Sequence, residues 1–245
     1  MDVTAQPPST TGESSFLRDA LDVVNVLHEP TAVFNRIRER PRILAPWIVL
    51  SVCMIVITLV MRPYQAAAFE AFKATLTPEQ AARMGNRGAQ GGPWGLLFVP
   101  VFALIAIGIG SGLLWIGVSL TGTQARFKTL ASVLAYTFIT YGLFSAVTVI
   151  VLAVRGKQAI TGFADLRAPL GLDLLMPGAG LYLGTVLNGI NPFSVWGVWL
   201  TGTGIATTTR TVTRGTAIVI TAVAFLIGLL LVAAPTLFLG MLTKR

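Results

Sequence analysis

Apolar residues in this chain fall in long blocks broken by short polar stretches. The blocks at 43–61, 96–120, 130–154, 193–208 and 217–239 contain no Asp, Glu, Lys, Arg or His. About 20 apolar residues in helical conformation cross about 30 Å of hydrocarbon. The pattern therefore predicts an all-α polytopic membrane protein, a five-helix transmembrane bundle filling residues 43–245. The fourth block is the least regular, because 178–190 is apolar but short and Asn191-Pro192 interrupts it. Residues 193–208 are read as the crossing and 178–190 as an amphipathic or re-entrant helix packed on its mouth. One long kinked helix is the competing account.

Ahead of the first block the period changes. Phe16/Leu17, Ala20/Leu21, Val24 and Leu27 recur at helical spacing with Arg18, Asp19 and Asp22 opposite, the mark of an amphipathic helix. Pro30 suits the first turn of a second one, with Val33, Phe34 and Ile37 on one side, Asn35, Arg36, Arg38 and Glu39 on the other, and Pro41 as its stop. Residues 16–42 are thus expected to form amphipathic helices lying in the membrane interface. The Ser-, Thr- and Pro-rich residues 1–15 are expected to be a disordered tail. They contain no apolar core of a cleavable signal peptide, so the first span is expected to direct insertion.

Composition supports the same class: 54% of the 245 residues are hydrophobic and only 11% charged, outside the range of soluble domains. The net charge of +8 invites an anionic partner, and Arg36, Arg38, Arg40 and Arg42 stand immediately before the first span. Nucleic-acid binding would want aromatic residues interleaved with the arginines, and Phe34 alone does not supply them. Anionic lipid headgroups explain the quartet better, at about 1 kcal/mol per basic residue near the surface. By plain count the basic residues of alternate loops balance. Weighting those next to the first helix puts the amino terminus in the cytoplasm and, after five crossings, the carboxyl terminus on the opposite side of a cell (inner) membrane.

Candidate chemistry is sparse. His28 is the only histidine and Cys53 the only cysteine, so catalytic triads and zinc clusters are not expected. No cofactor motif occurs: Gly88, Gly91, Gly92 and Gly95 lack the context of a phosphate loop, and Asp165 and Asp173 are too isolated for a metal site. Spans free of ionisable groups disfavour proton relays and intramembrane catalysis. Neutral polar residues gather in the third span, where Tyr136, Thr137, Thr140, Tyr141, Ser145 and Thr148 recur at helical spacing. They suit either interhelical hydrogen bonding or a polar path, to which Asn191 could belong. Gly108 and Gly112 form a small-xxx-small pair that admits a close helix neighbour.

Three stretches carry a family resemblance: EPTAVFNRIRERPRILAP before the first span, GTQARFKTLASVLAY into the third, and NPFSVWGVWLTGTGIA in the fourth. They resemble the bacterial branch of the Yip (Ypt-interacting protein) membrane family, from about Glu29 to the end of the chain. The matching positions are Pro30, Phe34 and Pro41, then Gly122, Phe127 and Tyr136, then Phe193, Trp196 and Gly204. The resemblance implies five membrane helices and a cytoplasmic amino terminus. Many relatives have a proline about five residues after the tyrosine, where this chain has Thr140 and Tyr141, so the resemblance does not carry a kink in the third helix over to this chain. Eukaryotic members look like adaptors for Rab-type GTPases, a role that fold alone does not transfer.

The expectation is a non-enzymatic integral membrane protein that shapes the membrane or scaffolds a membrane complex. It would contact anionic lipid, with self-association or other membrane proteins as further partners and no nucleic acid. The alternative is a permease or channel for a small neutral or lipidic solute, suggested by the polar third span and the broken stretch at Asn191-Pro192.

Overall fold

The computed structural model describes residues 11–84 and 93–242. Of the expected disordered tail, residues 1–10 lie outside that set, whereas 11–15 open the first helix. Gly88, Gly91 and Gly92 also lie outside it.

The described residues form ten α-helices and no strand. Two short ones come first: α1 (Thr11–Asn25) and α2 (Pro30–Glu39). Pro30 opens α2, where its missing N–H would have had no helical partner. Next come α3 (Leu44–Lys73), α4 (Pro78–Met84), α5 (Pro93–Ser119), α6 (Phe127–Thr137) and α7 (Ile139–Arg155). Three 3₁₀ turns lead to α8 (Leu181–Gly189), α9 (Pro192–Thr209) and α10 (Arg214–Leu242).

Four helical stretches are long and apolar enough to cross a membrane: Leu44–Lys73, Gly95–Ser119, Phe127–Arg155 and Arg214–Leu237. Only 11–22% of their most apolar windows is buried inside the protein, so their outward faces are hydrophobic. Val52, Val56 and Val60 on α3, Phe102, Ile105 and Ile109 on α5, and Val219, Val223 and Leu230 on α10 all point outward. Exposed apolar area on that scale calls for lipid.

The expected count of five such crossings is therefore corrected to four. The stretch read as the fourth crossing, 193–208, lies in α9, which is not apolar enough: six of the 18 residues of that helix are Ser or Thr and three are Gly. The reason is position. Leu200, Thr201, Gly202, Thr203, Gly204 and Ile205 are all buried, and a helix enclosed by other helices can trade apolar bulk for close packing. A Cβ on Gly202 would sit 2.6 Å from Ile218 Cγ1, one on Gly197 2.6 Å from Thr140 Oγ1, and one on Gly204 2.5 Å from Val133 Cγ1. These glycines let α10, α7 and α6 approach. The pairs Gly204 with Val133, Thr201 with Thr137, and Gly197 with Thr140 fall in opposite chain order, so α9 runs antiparallel to α6 and α7.

Other boundaries moved for identifiable reasons. The first apolar run ends at Arg62, but α3 continues through Pro63 to Lys73, because Tyr64, Ala68, Phe69 and Phe72 are buried. Tyr64 and Ala68 pack with Leu152 and Ile160. The third span is interrupted at Phe138 without a proline. Thr137 Oγ1 donates to Leu134 O (3.1 Å) and Thr140 Oγ1 to Thr137 O (3.0 Å), and the Tyr141 amide donates to Phe138 O one residue early for an α-helix. Of the two accounts of 178–208, the separate pair holds: α8 ends at Gly189 and α9 begins at Pro192.

Candidate functional site

The two amino-terminal helices carry the densest charge in the structure and fold back as a hairpin onto the bundle. Asp22, 4% exposed on α1, receives Arg36 of α2 in forked geometry, Nη2 to Oδ1 at 2.6 Å and Nε to Oδ2 at 2.9 Å. The Asn25 side chain donates to the same carboxylate at 3.2 Å. One helical turn earlier, Asp19 Oδ2 accepts from Arg42 Nη1 at 2.6 Å. Two acids of α1 thus clasp two members of the arginine quartet, Asp22 in the forked arrangement that suits guanidinium to carboxylate and Asp19 through a single bond. The hydrogen bond to Asp22 holds the Arg36 guanidinium above its ordinary pKa despite partial burial, and the bond to Asp19 does the same for Arg42.

Beneath the clasp lies an apolar seat. Val23 and Val26 of α1, Val33, Phe34 and Ile37 of α2, and Val133 and Tyr136 of α6 form one buried cluster. Phe34 is fully buried, and its ring edge lies where a Cβ on Gly204 would be, 2.9 Å from Cε1 and 3.0 Å from Cζ. The apolar face of α2, expected to lie on lipid, is covered by protein. Between clasp and bundle is an open cavity of about 450 Å³, bordered by Arg18, Glu39, Arg40 and Tyr136 as well as the ion pairs. Arg38 and Arg40 form no ion pair among the described residues.

On α1 the apolar residues divide between two faces. Val23 and Val26 point inward, but Leu17, Leu21 and Val24 are 63%, 65% and 49% exposed. Their spacing of four and three residues keeps them on one stripe, which no described part of the protein covers.

The motif positions fall into two groups. Phe34, Tyr136 and Gly204 meet around the hairpin seat, with Pro30 and Pro41 bounding α2. The others are dispersed. Gly122 occupies the α5–α6 turn at φ 77, a conformation that suits glycine, and Phe127 opens α6 with its ring exposed. Phe193 packs on Phe144 with centroids 6.2 Å apart, and Trp196 is half-buried on α9.

Of the neutral polar residues, Thr140 is buried and donates to Thr137 O across the break between α6 and α7, and Thr137 meets Thr201 hydroxyl to hydroxyl at 2.8 Å. Asn191 caps α9: its Oδ1 accepts from the Phe193 and Ser194 amides at 3.0 Å, and the Ser194 hydroxyl closes a capping box. Its Nδ2 donates to Asn188 O at 2.9 Å. These groups are engaged in packing and capping, whereas Tyr141 remains 52% exposed. Asp19 and Asp22 were read from the sequence only as the polar face of α1, since nothing in their spacing names partners 23 and 14 residues away. Among the described residues no group of three or more His, Cys, Asp or Glu could hold a metal ion.

An all-helical body with four lipid-suited helices, preceded by a clasped amphipathic hairpin, defines an integral, multi-pass membrane protein. The Yip1 domain family model matches residues 24–234. The chain belongs to that family, as its three motifs suggested. Neither the curated proteins nor the solved structures contain a match.

Proposed function

We propose that this protein is a non-enzymatic organiser of the bilayer or of a membrane complex, and that the α1–α2 hairpin is its working surface. The observation that carries the reading is the outward stripe Leu17, Leu21 and Val24, held beside the arginine quartet by a hairpin fixed to the bundle. An apolar stripe bordered by guanidinium groups suits the boundary between headgroups and acyl chains, or the matching face of a partner helix. In this reading the amino terminus is cytoplasmic and the membrane is the cell (inner) membrane. Self-association or another membrane protein would use the same stripe. The permease alternative loses support from the engaged hydroxyls of Thr137 and Thr140 and the capping role of Asn191.

The test is reconstitution into phosphatidylglycerol-containing vesicles, with vesicle shape imaged and protein crosslinked, for the native chain and for a Leu17→Ser/Leu21→Ser/Val24→Ser variant. The native chain should deform vesicles or give a reproducible crosslinked species, and the variant should lose that effect while inserting normally. Native protein that does neither, or a variant with undiminished effect, would overturn the proposal.

A further inference from the structure

A second cavity, of about 260 Å³, opens between α3, α7 and the α7–α8 connection. Along α3 it is bordered from Met54 to Gln65, eleven steps of 1.5 Å and so about 16 Å of helix. Met54, Ile57 and Met61 supply an apolar wall, and Phe144 faces them from α7. Arg167 supplies the only charge in the lining.

The setting of Arg167 is unusual. Its guanidinium occupies the space where a side chain on Gly184 would stand, so glycine at that position of α8 is what admits it. Its Nε donates to Ala164 O at 3.3 Å and Nη1 reaches Leu181 O at 3.5 Å. A guanidinium carries five N–H donors, and no carboxylate lies within ion-pair distance of this one among the described residues. The two acids nearby are engaged elsewhere: Asp165 Oδ2 accepts from the Thr161 amide and hydroxyl, both at 2.7 Å, and Asp173 from the Gly171 amide and Asn188 Nδ2. Burial pulls the Arg167 pKa below its ordinary value, and the two carboxylates only partly oppose this. The hydroxyls of Thr58, Ser145 and Thr148 donate to carbonyls of their own helices, so they do not draw on the guanidinium.

We propose that this cleft is a binding site for one anionic phospholipid, its phosphate on Arg167 and the upper part of an acyl chain along Met54, Ile57 and Met61. Two features favour lipid over a soluble anion. The wall beneath the charge is apolar, and the neighbouring surface carries Val56 and Val60 on α3 and Tyr141 on α7, all outward-facing. A free phosphate would gain nothing from either. The volume is too small for a whole lipid and fits a headgroup with its first methylenes, leaving the rest of the chains in the bilayer. The site is separate from the hairpin, whose seat uses Val133 and Tyr136 of α6 while the cleft is bordered by Tyr141 to Thr148 of α7, and the inference does not depend on the role given to the hairpin.

The experiment is native mass spectrometry of the full chain in detergent, titrated with phosphatidylglycerol or phosphatidylcholine. One phosphatidylglycerol should be retained in preference to phosphatidylcholine. Arg167→Gln should weaken that retention about tenfold or more, the size of a lost charge-assisted hydrogen bond, and Arg167→Lys should fall between. Ile57→Trp, which fills the apolar wall and leaves the charge in place, should weaken both lipids and keeps the test valid if Arg167→Gln fails to fold. Equal retention of both lipids, no effect of either Arg167→Gln or Ile57→Trp, or displacement of the lipid by millimolar inorganic phosphate would overturn the proposal.

Discussion

Replacing Phe34 with alanine removes the residue on which hairpin docking depends. The ring is fully buried between Val133 and Gly204, in a cluster to which both amino-terminal helices contribute. Deleting a buried phenyl group costs about 3–5 kcal/mol where the site cannot collapse. Here α9 has only glycine at position 204 to offer, so no side chain of α9 can swing into the void. The two ion pairs cannot make up the loss. The pair of Arg42, 35% exposed, with Asp19 contributes about 1 kcal/mol or less. Although Asp22 is buried, its partner Arg36 is 43% exposed, so water screens the forked pair too. Phe34→Ala should therefore release the hairpin while leaving the bundle folded. Hydrogen exchange in detergent would show α1 and α2 losing protection as a unit, with α9 and α10 unchanged. Limited trypsin digestion should cut after Arg36 or Arg38 several times faster than in the native chain. A hairpin that keeps native protection, or protection lost evenly through all helices, would refute the claim that Phe34 and Gly204 form a local seat.

Asn191→Ala should lower stability by about 1–2 kcal/mol through loss of the α9 cap, visible as a lower detergent-resistant melting temperature; an unchanged melting temperature would contradict the capping role. A double-mutant cycle with Thr137→Val and Thr201→Val should give a coupling of about 0.6 kcal/mol, the average for membrane hydrogen bonds, and a value near zero would mean the 2.8 Å contact contributes nothing. Burial pushes the Asp165 carboxyl up, but the Thr161 hydroxyl, the Thr161 and Gly162 amides and the Arg155 charge outweigh it, and the net pKa lies below the ordinary carboxylate value. Such a group binds fewer protons folded than unfolded, so its stabilisation of the α7–α8 connection is present above the ordinary carboxylate range and lost as pH falls through the folded value. Protection from hydrogen exchange at residues 161–166, taken relative to the intrinsic rate at each pH, should fall over that acidic window in the native chain and not in Asp165→Asn.

The lipid-facing helices were legible because hydrocarbon imposes one requirement, a long run without charge, and α5 and α10 satisfy it almost residue for residue. Helix α9 was misjudged by the same criterion. Its neighbours are protein, so Thr201, Gly202 and Gly204 answer to packing against α10, α2 and α6, which a one-dimensional hydropathy profile does not contain. The continuation of α3 past Arg62 has the same origin, since Tyr64 and Ala68 are held by Leu152 and Ile160 from far along the chain. At the candidate site, the arginine quartet and the Phe34 and Gly204 motif positions could be named from the sequence. Their division of labour could not: Arg36 and Arg42 clasp α1 while Arg38 and Arg40 form no ion pair, and this follows only once the hairpin folds. Arg167 gave no signal, because its setting depends on Gly184 seventeen positions away.

The most direct test of the hairpin as a membrane-facing surface is spin-label accessibility along α1. In a Cys53→Ala background, single cysteines at positions 17, 18, 21, 24 and 25 would be labelled and the protein reconstituted into anionic vesicles. High oxygen and low polar-reagent accessibility is expected at 17, 21 and 24, with the opposite at 18 and 25. Uniformly water-exposed labels at all five positions would contradict it.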